Sequence, residues 1–184
     1  GEVKFTVPLL LYLLTEQVEL ADQMPVIKET LLSNLLAYPE MLIDFLSDRS
    51  IEDKTHLINV AGELRFEEAV PALMYLVANS DNEAEIKLII ETLGLIGDPQ
   101  AINTLTDYLY AANRDLIITA IQSLGQVGTP TAMHRLAERM GTDNELDYMI
   151  LSIFADVQDP VSLEKLNDTL RSHYAHMRNY AKQE

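Results

Sequence analysis

The sequence predicts an all-α fold, an α-solenoid of stacked antiparallel helix pairs, from three observations. The first is a repeat: AGELRFEEAVPAL (61–73), LGLIGDPQAINTL (93–105), LGQVGTPTAMHRL (124–136) and FADVQDPVSLEKL (154–166) share one layout. Their small pivot residues, Gly62, Gly94, Gly125 and Ala155, lie 32, 31 and 30 positions apart, a period that marks a stacked repeat. The second is an apolar spacing of three and four inside the units, the signature of one helical face. The third is a stop-and-start signal, an Asp or Thr directly before a proline, at the same place in three of the four units.

Taken in chain order, residues 2–50 read as irregular N-terminal helices, a cap or a degenerate repeat. Helices are expected from Pro8 to about Ala21, from Pro25 to about Ala37 and from Pro39 to Leu46, with Thr6-Val7-Pro8 and Met24-Pro25 as starts. Four helix pairs then occupy 51–176. In the first helix of a pair, EIKLIIETLGLIG (85–97), Ile86, Ile89, Ile90, Leu93 and Ile96 fall on one face. Gly97-Asp98-Pro99, Gly128-Thr129-Pro130 and Gln158-Asp159-Pro160 end it. The Asp or Thr caps the next helix through its side-chain oxygen, and proline at the first helical position loses no hydrogen bond. Helix starts are therefore expected within two residues of Pro99, Pro130 and Pro160. Ala101, Ile102, Leu105 and Leu109 form the buried face of the second helix. The pivots are expected where the two helices of one pair approach most closely. Polar loops at 78–85, 111–115 and 140–147 join the pairs. Residues 177–184 read either as the first helix of a fifth pair or as a terminal cap.

Amphipathic pairs of this kind bury their apolar faces only by stacking. The layout resembles HEAT repeats, and within them the short bacterial repeats of the phycobilisome-lyase type. The core apolar-Leu-Gly-x-(Ile/Val)-Gly-(Asp/Thr)-Pro-x-Ala is best kept in Leu93–Ala101 and Leu124–Ala132. The first unit departs from it with Arg65-Phe66-Glu67, the fourth with Ala155. The resemblance covers about residues 51–171 and implies a right-handed superhelix and a binding role.

Composition bounds the partners. In 184 residues, 29 Asp and Glu against 13 Lys and Arg give a net charge of −16. Phosphate recognition needs clustered cations, so nucleic acid and anionic membrane surfaces are excluded as partners, while proteins and basic peptides are favoured. The absence of cysteine excludes disulfides, thiolate metal sites and a thiol nucleophile. The longest apolar run, VPLLLYLL (7–14), is far short of the ~20 residues a membrane-spanning helix needs, so no direct membrane insertion is expected. The expected location is cytoplasmic, or that of the soluble domain of a larger or membrane-anchored protein. Gly1 in place of a methionine reads as a cleavage scar on a piece of a longer protein.

No catalytic constellation emerges. HEAT-like hydroxylases, to which the repeats are similar, carry paired His-Glu dipeptides, but none of His56, His134, His173 and His176 is followed by Glu. HEAT-like DNA glycosylases carry a basic aromatic surface, which this charge contradicts. No lyase-specific residues match. His173 and His176 have the spacing of a two-histidine metal clip but read more simply as exposed polar residues. Neither a cofactor nor a metal is expected.

A site is expected on the face that the second helices share. At about 100° per residue, Asn103 and Asp107 point away from the buried face centred on Leu105. Shifting by the repeat lengths gives two rows: Pro71, Asn103, His134 and Glu164, and Tyr75, Asp107, Glu138 and Asp168. The second is a ladder of acids that would favour a basic, extended partner. The candidate partner-binding residues are thus Tyr75, Asn103, Asp107, His134, Glu138, Glu164 and Asp168. The expected function is a non-catalytic protein–protein interaction scaffold or adaptor. The alternative is a lyase-like accessory enzyme or chaperone for a tetrapyrrole or protein-bound cofactor.

Overall fold

A computed structural model describes residues 24–158 and, beyond them, positions 160, 162–165, 167, 168, 171, 172 and 175. The expected helix at 8–21, the cap at Asp159, the histidines at 173 and 176 and the segment 177–184 lie outside the described residues. Within these bounds the fold is all-α, with no strand among the described residues. The chain divides into two compact units, residues 1–101 and 102–184.

In the first unit, α1 (Met24–Ala37) and α2 (Glu40–Ser47) match the helices expected from Pro25 and Pro39. They are followed by α3 (Thr55–Glu63), α4 (Val70–Asn79) and α5 (Glu83–Ile96). Helix α5 packs on both α3 and α4, and α2 packs on α4, so successive pairs lie side by side. Leu42, Leu46, Ile58, Leu73, Ile89 and Leu93 are fully buried between them. Burying each such side chain contributes about 1.5–3 kcal/mol.

The second unit holds α6 (Ile102–Asp107), α7 (Arg114–Val127), α8 (Pro130–Arg139) and α9 (Asn144–Val157), with further helical positions from 160 onward. Helix α7 packs on α6, α8 and α9, and α6 also meets α8. First helices thus stack on first helices and second on second, the arrangement of an α-solenoid. Leu105, Leu109, Ala120, Leu124, Met133, Leu136 and Phe154 form the core here.

The Thr-Pro start behaves as expected: α8 begins at Pro130, and the Thr129 hydroxyl accepts the Ala132 N–H at 3.2 Å. The Asp-Pro start is corrected. Asp98 does accept the Gln100 N–H at 2.8 Å, but Pro99–Ala101 winds as a 3-10 turn and the α-helix begins only at Ile102. The tighter i→i+3 winding is common at helix ends, where the first N–H groups lack α-helical partners. The first repeat does the same over Glu67–Ala69, where a buried Phe66 replaces the capping aspartate as anchor.

The pivots are corrected as well. A Cβ on Gly62 of α3 would lie 3.2 Å from Thr92 Cγ2 and 3.6 Å from Leu95 Cδ1, both on α5. A Cβ on Gly125 of α7 would lie 3.0 Å from Ile153 Cδ1 on α9. Gly62 and Gly125 therefore face the first helix of the next pair rather than their own partner helices. Ala155, the fourth pivot, is exposed, which explains why a methyl fits there.

The repeat has a second periodic device, visible in the backbone. Three residues after each pivot the backbone turns left-handed: Arg65 at φ 49°, Gly97 at 78°, Gly128 at 67° and Gln158 at 55°. The N–H groups of Gly97, Gly128 and Gln158 close onto the carbonyls of Leu93, Leu124 and Phe154 at 3.1 Å, terminating α5, α7 and α9. Glycine has no Cβ to oppose this conformation, so two repeats use it and two tolerate a side chain.

Candidate functional site

In the second unit, Pro130 and the Thr129 cap fix the start of α8, and Ala132, Met133 and Leu136 bury one face of it. That leaves His134 and Glu138, four residues apart, exposed on the other. Beyond α9, Ser162 is fully buried while Glu164 and Asp168 are exposed and Lys165 is half-buried. His134, Ala137, Glu138, Glu164, Lys165 and Asp168 line one open hollow of about 280 Å³. Four of the seven candidate residues thus meet there, drawn from both rows. Lys165 and Ala137 lie outside both rows, which take only positions four apart on each helix, whereas a groove is lined from both flanks.

Three carboxylates share this hollow with one lysine and one histidine. His134 Nε2 stands 3.3 Å from Glu138 Oε1, an ion pair when the imidazole is protonated, and Arg135 approaches Glu138 Oε2 at 3.4 Å. These groups are largely exposed, so each pair contributes little to stability, about 0–1 kcal/mol. Their summed negative potential acts instead on what approaches from solution.

The remaining candidates lie apart from the hollow. Asn103 and Asp107 are exposed on α6, as the helical phase implied. Burial and then the neighbouring Asp107 raise the pKa of the half-buried Tyr108 phenol. Leu109 is fully buried, while Tyr110 is exposed and carries the Arg139 guanidinium 5.6 Å from its ring centre. Arg139 also donates Nε–H to the Leu109 carbonyl at 2.9 Å, so it ties the end of α8 to the turn after α6. Tyr75, 62 % exposed on α4, belongs to the first unit, where it lines a different hollow with Arg49 and Lys54.

Several of the described aspartates serve the backbone. Asp143 caps α9, accepting the Glu145 and Leu146 N–H groups at 3.0 and 3.2 Å. Its carboxylate also takes Arg114 Nη1 at 2.6 Å, and these bonds, Arg114 first, pull its pKa down to about 2. Asp147 accepts the Gly141 N–H at 3.0–3.1 Å. Asn82 and Asn113 cap α5 and α7 at equivalent places. The loops joining the pairs are therefore polar for a local reason: each carries the cap of the next helix. Among the described residues, no group of three or more His, Asp or Glu could hold a metal ion. No described helix is long and apolar enough to cross a membrane.

Comparison with known families matches the chain to the family model described as HEAT repeats, over residues 39–121 and 78–153. The matched span takes in α2 to most of α9. No curated protein matches the chain.

Proposed function

We propose that this chain, which belongs to the HEAT-repeat family, is a non-catalytic protein–protein interaction scaffold or adaptor that engages a basic segment of its partner. Members of this family commonly serve as interaction scaffolds, and stacked second helices offer an extended surface to a partner. The observation that carries the reading is the open hollow where Glu138, Glu164 and Asp168 gather around one lysine. Its shape and charge suit a Lys or Arg side chain from an extended peptide. The proposed partner is a protein or basic peptide rather than a nucleic acid, since the net charge of −16 repels phosphate. Rim charges of this kind steer encounter and confer salt dependence more than affinity.

The test is a titration of the whole chain with a labelled Arg/Lys-rich peptide, across a series of salt concentrations. Binding is expected to weaken as salt rises. It is also expected to fall in a Glu138→Gln, Glu164→Gln, Asp168→Asn triple variant, which keeps shape and removes charge. Asp107→Asn, outside the hollow, separates this site from the longer acidic row. Unchanged, salt-independent binding by the triple variant would overturn the reading. The narrower likeness to phycobilisome-lyase repeats, kept in Leu93–Ala101 and Leu124–Ala132, motivates the rival reading of a lyase-like accessory enzyme or chaperone. A visible-spectrum change on adding bilin or haem to the chain would favour that rival.

A further inference from the structure

The first unit carries a feature at odds with the charge of the whole chain. Between α2, the loop after it and α4 lies a hollow of about 250 Å³. Its lining includes two cations, Arg49 and Lys54, beside apolar Leu46 and Leu76, with Tyr75 and Asn79 from α4. In a protein with 13 Lys and Arg among 184 residues, this hollow is lined by two cations and by no acid, although Asp48, Glu52 and Asp53 lie in the same segment.

Lys54 is only 9 % exposed, an unusual burial for lysine, which is seldom fully buried without a partner. Its Nζ donates to the Ile51 carbonyl at 2.8 Å, one of the three bonds an ammonium can make. The nearby Asp48 carboxylate accepts the Ser50 N–H at 2.8 Å and the Ser50 hydroxyl at 2.7 Å, and it also feels the Lys54 charge, but it does not line the hollow. Arg49 is exposed at the same hollow, with a planar guanidinium suited to carboxylate geometry.

From this juxtaposition we infer that the hollow is a carboxylate-binding site, taking the free carboxyl end of a peptide whose last residue is apolar. Arg49 and Lys54 face the carboxylate, the half-buried Ala72 and Leu76 receive the apolar side chain, and Tyr75 and Asn79 flank the peptide backbone. The volume lies just below the about 300–1,000 Å³ of sites for drug-sized ligands, so it fits one terminal residue and not a large cofactor. A monoanion also suits the surroundings better than a phosphate dianion, because a chain of charge −16 repels each added negative charge at long range. The inference is independent of the acidic hollow in the second unit.

The probe is N-acetyl-leucine, a carboxylate next to an apolar side chain, titrated into the whole chain and followed by amide ¹H–¹⁵N NMR. The expected result is saturable shifts at Ser47, Arg49, Lys54 and Asn79. Arg49→Gln, at an exposed position, is expected to weaken them about tenfold, the size of one lost charge-assisted bond. Lys54→Met is expected to do the same, its folding checked by an unchanged thermal midpoint. N-acetyl-leucinamide, which lacks the charge, should leave these amides unmoved. Equal shifts with the amide, tighter saturation by inorganic phosphate, no shifts at all, or undiminished binding by Arg49→Gln would each overturn the assignment.

Discussion

Gly125 and Ile153 are in a contact so close that a side chain at 125 would require Ile153 to give way. A Cβ at Gly125 would stand 3.0 Å from Ile153 Cδ1 and 3.1 Å from its Cγ2, tighter than ordinary van der Waals separation. The contact joins α7 to α9, the first helices of consecutive pairs, so this glycine sets how closely one repeat lies on the next. Helix propensity alone would favour a larger residue than glycine by about 1 kcal/mol. Close packing is the stronger demand here.

Gly125→Leu is accordingly expected to lower stability by about 1–3 kcal/mol in urea unfolding, through overpacking. Combining it with Ile153→Ala should recover part of the loss, and a double-mutant cycle would measure the coupling. Ala155→Leu, at the exposed pivot, should stay within about 0.5 kcal/mol of the parent. Equal costs at 125 and 155 would show that the pivot does not act through the neighbouring pair.

The left-handed residues give a prediction of opposite sign. Arg65 and Gln158 hold φ of 49° and 55°, where a Cβ costs about 1–2 kcal/mol. Replacing either with glycine should raise stability by about 0.5–1 kcal/mol, since glycine's greater unfolded-state entropy offsets part of the relief. Gly128→Ala should lower it by about 1 kcal/mol, although nothing but backbone oxygens, at 3.5 Å or more, surrounds the new methyl. Thermal midpoints of the three variants decide it.

Capping can be tested where side-chain oxygens meet free N–H groups. Thr129→Ala and Asn113→Ala each remove an acceptor, at 3.2 Å from Ala132 N and 2.8 Å from Asp115 N. A loss of about 1 kcal/mol is expected for each. Asp98→Ala should cost about as much, since its oxygen serves the Gln100 N–H across the 3-10 turn. Denaturation midpoints indistinguishable from the parent would remove these caps from the account.

Asp143 predicts a pH window. Its pKa falls from an ordinary 3.8 to about 2, chiefly through the Arg114 hydrogen bond and then the Leu146 N–H, with burial opposing. A carboxylate whose folded pKa is depressed stabilises fully above the unfolded value and loses that contribution as pH drops through the folded one. Stability should therefore decline between about pH 3.8 and 2 for this reason, and Asp143→Asn should flatten that part of the profile. Unfolding midpoints measured in steps from pH 5 to 2 would show whether the two chains converge.

The repeat was legible because its cause is local and recurs. Pro130 begins α8 and Thr129 caps it because fixed φ and a free hydroxyl act within four residues. The buried faces of Ile89, Ile90 and Leu93, and of Ile102, Leu105 and Leu109, follow from helical spacing alone. The second set of caps, Asn82, Asn113 and Asp143, is equally local yet not legible in the sequence, since in polar loops a capping residue resembles any other polar residue. Arg65 departs from Gly-Asp-Pro in sequence, whereas its backbone keeps the left-handed turn of the other repeats. Conformation persisted there where residue type did not.

The candidate site was legible only in part. Phase on α6 and α8 gave the exposure of Asn103, Asp107, His134 and Glu138, because exposure depends on one helix at a time. Which of them share a hollow depends on spacing between helices and on side-chain length. That is why Glu164, Lys165 and Asp168 join His134 and Glu138 while Asp107 does not line the same hollow.

The sequence by itself determined the all-α fold, the period of about thirty, the helix from Pro25 to about Ala37, the helix start at Pro130 and the acidic charge. Each of these follows from propensity, periodicity or composition, properties that act along a few consecutive residues. Only the tertiary structure decided that Gly62 and Gly125 press against the following pair and that Arg49 and Lys54 line one hollow with Tyr75. These are relationships between residues tens of positions apart. Side-chain volume and the distance between packed helices set them, and neither is written in the order of the residues.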